Sequence, residues 1–170
     1  MAKASRRRIE FPELDAYIRQ LNAISSNSLT IIKKAIAEGA KPVADAIKAS
    51  LQAVESVSEE QVYHDRSAKR PTKITHEQKE GLIESFGLAP MRDDRGFINT
   101  KAGFDGYNKV QTRYWPNGQP NAMIARTLES GSTYMQKQPF LRKSINSAKD
   151  AAVKKMQEYY DKEIEKITKK

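Results

Sequence analysis

The sequence contains no cysteine, only two histidines and no long apolar run. The lack of cysteine excludes disulfide frameworks, thiolate zinc sites, iron–sulfur clusters and cysteine nucleophiles. No stretch approaches the roughly 18 apolar residues of a membrane-spanning helix, and no hydrophobic segment follows the basic first residues, as it would in a secretion signal. We therefore expect an intracellular, soluble setting and no membrane partner.

Residue types that carry enzyme chemistry are few and scattered. His64 and His76 lie in separate segments, and the adjacent Asp93 and Asp94 do not converge well on one ion. Ser130-Gly131-Ser132 follows a helical pattern and lacks the strand–turn–helix context of a nucleophilic serine. No glycine-rich phosphate loop is present. The sequence predicts no catalytic residue, no metal site and no cofactor, and we expect a protein that is not an enzyme.

The chain is basic, with 30 lysines and arginines, 21 acids and a net charge of +9. Such a surface favours an anionic partner: nucleic acid, lipid head groups or an acidic protein face. Positive charge concentrates in residues 1–10, which we expect to form a flexible basic arm, in residues 65–73 and in the last fifth of the chain. Residues that would contact DNA or a neighbouring subunit are Arg6, Arg7, Arg8, Arg66, Lys69, Arg70 and Lys73.

Apolar residues at helical spacing predict two helices in the first third of the chain. The first begins near Pro12, and the polar residues 25–28 predict a break that caps the second. The second pattern runs from residue 29 to about residue 54 with Pro42 inside it, which indicates either one bent helix or two nearly collinear helices. Residues 55–74 are polar and basic and are predicted to form a long loop.

The period of the apolar pattern changes after Pro90. Residues 97–104 are predicted to form a strand and residues 110–115 its partner, giving a small antiparallel sheet with a hairpin. A short helix, capped by the Thr75–Gln78 capping-box pattern and ended by Gly87, precedes this sheet.

Two further helices are predicted after the sheet. Asn121 is expected to cap a helix over residues 122–129, which Gly131 closes. A long final helix runs from about Pro139 to Ile167. The predicted class is α+β, in a single domain spanning residues 11–168.

Four segments carry a resemblance to a known family by their order and spacing: residues 81–88, 96–108, 121–131 and 137–142. Over about residues 10–165 the chain resembles the tail-completion, or head–tail joining, proteins of long-tailed bacteriophages, which are also described as neck or minor tail proteins. The most specific residues of the resemblance are Leu128, Glu129, Gly131, Pro139, Phe140 and Arg142. Many family members have a second proline soon after that arginine, where this chain has Lys143 and Ser144.

The resemblance implies a structural protein of the virion. It implies a homo-oligomeric ring, hexameric in the particle, at the head–tail interface. One side of the ring would contact the head connector or stopper protein, and the other the tail terminator or tail tube protein. Before assembly the protein would reside in the host cytoplasm. Because packaged DNA leaves through such a ring, the basic arm or loop would be in position for non-specific contact with DNA.

The residues themselves leave a second function open, that of a small, sequence-independent nucleic-acid-binding protein. In that case Tyr114 and Trp115 would stack on bases and be exposed, whereas in a ring subunit they would be buried or would face a neighbour. Two details of the final helix are also predicted. Phe140 anchors the helix against the sheet, and Glu129 and Arg142 either pair or are two unrelated exposed charges.

Overall fold

The computed structural model describes residues 12–95, 97–112 and 114–169, with side chains from Ile24 onward. It confirms the α+β class, with a long helix at each end and small antiparallel strand pairs between them. The elements are α1 (Pro12–Gln52), β1 (Ser56–Val57), α2 (Glu59–Ser67), β2 (Ile74–Thr75), α3 (His76–Ser85), β3 (Phe86–Leu88), β4 (Arg92–Asp94), β5 (Phe97–Asn99), β6 (Ala102–Phe104), α4 (Asn121–Ser130) and α5 (Leu141–Thr168).

The first helix is continuous where the sequence predicted a break. α1 passes through the polar residues from Ser25 to Ser28, and the hydroxyl of Ser28 donates a hydrogen bond to the backbone oxygen of Ser25 (2.9 Å). A mid-helix serine that bonds back to the preceding turn does not end the helix. The buried Ile31 and Ala35 follow Ser28 at helical spacing, so the buried face runs through the polar segment. At Pro42, the single-helix alternative is correct.

Residues 55–74 contain regular structure, so the prediction of a long loop is wrong. The side chain of Ser58 accepts a hydrogen bond from the N–H of Gln61 (3.3 Å) and caps α2. β1 and β2 pair in parallel, with Ser56 opposite Ile74. Val62 is the one residue of α2 that is buried, which explains why apolar spacing alone gave no helical signal here.

The capping box of α3 is confirmed. The side chain of Thr75 accepts from the N–H of Gln78 (3.0 Å), and the side chain of Gln78 accepts from the N–H of Thr75 (3.1 Å). The predicted end of this helix at Gly87 is wrong, because α3 ends at Ser85 and the chain passes directly into β3.

Residues 86–104 form one hairpin built from two strand pairs. β3 pairs antiparallel with β6, with Phe86 opposite Phe104, and β4 pairs antiparallel with β5, with Asp94 opposite Phe97. The turn places Arg95 at a φ of 57°, the left-handed conformation that two-residue hairpin turns use. The predicted strand over residues 97–104 is therefore two strands, and its partner precedes it in the chain. The prediction of a partner strand at residues 110–115 is wrong.

α5 packs antiparallel along the C-terminal two thirds of α1. The hydroxyl of Ser144 donates to that of Ser50 (2.7 Å), and Gly39 lies against Met156 and Ala152 further along the pair. By this register α1 continues past the end of α5 for about 14 residues, roughly 20 Å of helix. The long final helix was predicted to within two residues at its start and one at its end.

The core lies where the C-terminal half of α1 meets α3, α4, β3 and the start of α5. It buries apolar side chains from each of these elements, and this burial is the main force that holds the helices and the hairpin together. The buried cluster contains Ala44, Ile47, Leu51, Val54, Ile74, Leu82, Phe86, Ile124, Ala125, Leu128 and Phe140.

Candidate functional site

The carboxylate of Glu129 caps the first turn of α5. One oxygen, Oε2, accepts from the backbone N–H groups of Phe140 (2.8 Å) and Leu141 (2.9 Å), and Oε1 accepts from that of Arg142 (3.2 Å). The first N–H groups of a helix have no partner within the helix, and a negative charge there is favoured by the helix dipole. Glu129 therefore joins the end of α4 to the beginning of α5.

The pKa of Glu129 reflects two opposing effects. Burial of the carboxylate raises its pKa. The hydrogen bonds from the backbone N–H groups of Leu141, Phe140 and Arg142, together with the nearby Arg142 charge, lower the pKa by a larger amount. The pKa therefore lies below the ordinary value, and Glu129 is a charged cap at neutral pH.

Gly131 turns the chain from α4 toward α5. Its φ is +76°, a conformation that residues with a side chain rarely adopt, and its N–H donates to the backbone oxygen of Thr127 (2.7 Å). A Cβ at this position would lie 2.9 Å from that of Lys137. The predicted closure of α4 by Gly131 is confirmed. Downstream, the N–H of Gln138 donates to the backbone oxygen of Leu128 (2.8 Å), so the connecting segment folds back on the helix it leaves.

Phe140 is the aromatic anchor that the sequence predicted. Its side chain is 2% exposed, and its ring lies edge-on to that of Phe104 at a centroid distance of 6.0 Å. Phe104 in turn lies 5.3 Å from the ring of Phe86 across the hairpin. The three rings link the start of α5 to the β3–β6 strand pair, with Leu128 of α4 in the same buried cluster. Pro139 is half-buried just before this anchor.

Arg142 contributes its backbone to the cap, which is neither of the two alternatives predicted for it. Its N–H bonds Glu129, while its side chain is exposed and forms none of the ion pairs among the described residues. The guanidinium acts on Glu129 at longer range, and its charge lowers the carboxylate pKa. The predicted ion pair between the two side chains is therefore wrong, because the bond between the residues runs from the backbone N–H of Arg142 to the carboxylate of Glu129.

The basic residues predicted to face DNA or a neighbour lie in different settings. Arg66 is in the last turn of α2, and Lys69 and Arg70 form the turn that follows it, with Lys69 at a φ of 55°. All three side chains are exposed, and none is within ion-pair distance of a described carboxylate. Arg6, Arg7, Arg8 and the predicted basic arm over residues 1–10 lie outside the described residues.

Lys73 is engaged within the chain. Its ammonium forms an ion pair with Glu55, and this hydrogen bond and charge lower the pKa of that carboxyl group. The amide of Gln138 also bonds the backbone of Glu55, accepting from its N–H (2.8 Å) and donating to its oxygen (3.0 Å). Lys73 is therefore part of the junction between the end of α1 and the segment before α5.

Two asparagines organise the loop of residues 105–120. The buried side chain of Asn108 donates to Asn121 (3.2 Å) and to the backbone oxygen of Gln78 (3.2 Å). Asn121 donates to the backbone oxygen of Asp105 (2.9 Å) and lies inside α4 rather than capping it, so its predicted role is wrong. This loop carries Tyr114, whose side chain is 85% exposed, and Trp115, which is half-buried.

An apolar surface that the sequence did not reveal runs along one flank of the α1–α5 pair. Ile32 and Ile36 of α1 lie beside Met156 and Tyr160 of α5 and line a shallow groove between the helices. Large apolar side chains extend the groove at helical spacing along both helices and are substantially exposed. We call this surface the helical apolar face; it comprises Leu29, Ile32, Ile36, Ile145, Val153, Met156 and Tyr160. The helical spacing of these residues is visible in the sequence, but spacing alone does not say that this flank stays uncovered in the folded chain.

Among residues 12–95, 97–112 and 114–169, no three histidine, aspartate or glutamate side chains come together in a way that would hold a metal ion. None of the helices in these ranges combines the length and apolar character needed to cross a membrane. Comparison with protein-family models, with curated proteins and with solved structures found no match to the chain. The resemblance to tail-completion proteins therefore stays a prediction.

Proposed function

We propose that this protein is a structural component of a phage virion that completes the tail and joins it to the head connector. The observation that carries the proposal is that the residues most specific to the resemblance form one structural unit. Leu128 is buried, Glu129 caps α5, Gly131 makes the turn and Phe140 fills the core at the start of α5. The residues of the resemblance thus act together in fixing one turn and the start of one helix, which is a structural role.

The architecture suits a subunit that contacts several neighbours. The α1–α5 pair exposes an apolar face, and the β4–β5 hairpin exposes Phe97. Exposed apolar patches of this kind mark protein interaction sites. A ring subunit between a connector and a tail tube needs separate surfaces for its neighbours in the ring and for the proteins above and below it.

Deletion of the gene from a phage or prophage that carries it tests the proposal. Electron microscopy of the lysate should show DNA-filled heads beside separate tails of normal or excessive length. A plasmid copy should restore joined particles. Intact infectious particles in the lysate of the deletion strain would refute the proposal.

A sequence-independent nucleic-acid-binding protein is the second candidate, and one observation favours it. Tyr114 is fully available for stacking, and Arg66, Lys69 and Arg70 present free cationic groups. Fluorescence anisotropy with a labelled DNA duplex and a labelled single strand, at rising salt, tests this candidate. Binding that weakens steeply with salt and falls further in the Tyr114→Ala variant supports it. No binding at about 50 mM salt would eliminate it.

A further inference from the structure

The helical apolar face leaves several large apolar side chains partly exposed to solvent. Five of its side chains, Leu29, Ile32, Ile145, Val153 and Tyr160, are 38–48% exposed. On α5 the apolar positions 145, 153, 156 and 160 follow a single flank of the helix, with Lys149 between them. The face continues on α1 across the groove. Together these side chains expose on the order of 400 Å² of apolar surface, which is the size of the largest apolar patch on many soluble proteins and is often functional.

The two ends of this face carry opposite charge. Residues 142–155 of α5 include five basic side chains and one acid, whereas residues 156–168 include two basic side chains and four acids. The register of the helix pair places residues 39–52 of α1 beside the basic half of α5 and residues 26–38 beside the acidic half, and each of these α1 segments has two lysines and one acid. The two halves therefore differ in charge because of α5, whose first half is basic and whose second half is acidic.

We propose that the helical apolar face binds a second copy of the chain, in a two-fold arrangement with the two copies of α5 antiparallel. A two-fold axis near Val153, midway between Ile145 and Tyr160, places the basic half of each α5 over the acidic half of the other. The parallel arrangement would place like charges together. The product is a four-helix layer, in which the α1–α5 pair of each copy covers the apolar face of the other. The proposal concerns the free protein and does not depend on the head–tail function.

Other occupants fit the face less well. A membrane surface rich in anionic lipid would be repelled by the four acids in the second half of α5. A head-to-tail contact in a ring would place this face against a different surface of the next subunit. The basic half of one α5 would then not lie over the acidic half of the other.

The mass of the free protein gives the first test. Sedimentation equilibrium or light scattering of the full chain at about 100 µM should give twice the chain mass of 19.2 kDa. Val153→Asp should shift the mass to that of a monomer, since the charge enters an apolar interface. Leu88→Asp is the matched control, because Leu88 is 43% exposed outside this face and Val153 is 42% exposed. Circular dichroism verifies that both variants fold. A monomeric wild-type chain, or a Val153→Asp variant that stays dimeric, would overturn the proposal.

Cross-linking tests the symmetry. Because the chain lacks cysteine, Val153→Cys introduces a single thiol, and residues beside a two-fold axis meet their own copies within the roughly 7 Å between Cα atoms that a disulfide spans. Mild oxidation should yield a covalent dimer of Val153→Cys, and little of one for Leu88→Cys. A variant that is dimeric by mass but does not cross-link would show a different geometry and would refute the two-fold arrangement.

A charge exchange tests the antiparallel orientation. Lys149 of one copy would lie within about one helical turn of Asp161 of the other. Lys149→Glu and Asp161→Lys should each weaken the dimer by roughly three- to tenfold in Kd, and the double variant should regain most of the loss. If the double variant weakens the dimer by as much as the two single variants combined, or by more, the antiparallel orientation is contradicted.

Discussion

Glu129 holds the backbone of Leu141 through a hydrogen bond of 2.9 Å between Oε2 and the N–H. The two residues are separated by twelve positions, and residues 131–140, which connect the two helices, form no helix or strand. The carboxylate therefore takes the place of the local N-cap side chain that α5 lacks, since Phe140 at the cap position has no side-chain oxygen. One charged side chain from the preceding helix thus caps a 28-residue helix.

Replacing Glu129 with alanine should destabilise the fold by about 1–2 kcal/mol, because three backbone N–H groups lose their acceptor and the helix dipole loses a negative charge. Glu129→Gln should cost less, since an amide oxygen still accepts. Urea denaturation of both variants measures the effect. Glu80→Ala, a change at an exposed glutamate of α3, serves as the control and should leave the midpoint unchanged. Equal stability of wild type and Glu129→Ala would contradict the cap.

The contribution of Glu129 should disappear in acid. Its pKa is lower in the folded protein than the ordinary value of 4.5, so the charged cap contributes stability that is complete above that value. This stability is lost as the pH falls through the folded-state pKa. The difference in urea midpoint between wild type and Glu129→Gln should be constant from about pH 8 to pH 6 and should shrink below about pH 4.5. A difference that grows in acid would contradict the lowered pKa.

Replacing Phe140 with alanine should destabilise the protein by about 3–5 kcal/mol, because a buried aromatic side chain is removed and its contact with Phe104 is lost. Thermal and urea denaturation measure the loss. Phe97→Ala is the matched control, since Phe97 is an exposed phenylalanine at the hairpin. A thermal midpoint for Phe140→Ala equal to that of Phe97→Ala would show that Phe140 is not an anchor.

Replacing Gly39 with alanine should destabilise the α1–α5 contact, although alanine favours the helix by about 1 kcal/mol. A Cβ there would overlap the side chain of Met156 and lie 3.0 Å from the backbone oxygen of Ala152. We expect a net loss of about 1–2 kcal/mol. In the Gly39→Ala background, Met156→Ala should lower the free energy of unfolding by less than it does in the wild type, because the smaller side chain at position 156 removes the overlap. Strictly additive effects in this double-mutant cycle would refute the close approach.

The sequence predicted the elements whose local chemistry and periodicity agree. The capping box at Thr75, the closure of α4 at Gly131 and the course of α5 were found because each depends on neighbouring residues. The break at residues 25–28 was wrong because serine hydroxyls can bond to the helix backbone as well as cap a new helix.

The errors elsewhere concern contacts between distant residues. Strand propensity predicts the partner of residues 97–104 downstream, at Tyr114 and Trp115. The hairpin instead forms upstream, where Phe86 can face Phe104. The role of Glu129 was equally hidden, because its cap joins backbone groups eleven to thirteen positions away. The exposure of the helical apolar face could not be predicted, since spacing alone does not say which apolar flank is covered.

The proposed role in joining heads to tails is tested most directly by adding purified protein to a lysate of the deletion phage. Because a joining protein acts on finished heads and tails, the wild-type chain should raise the infectious titre by several orders of magnitude. Folded Glu80→Ala should restore the titre equally well. A titre that stays at the background level with correctly folded wild-type protein would contradict the proposed role.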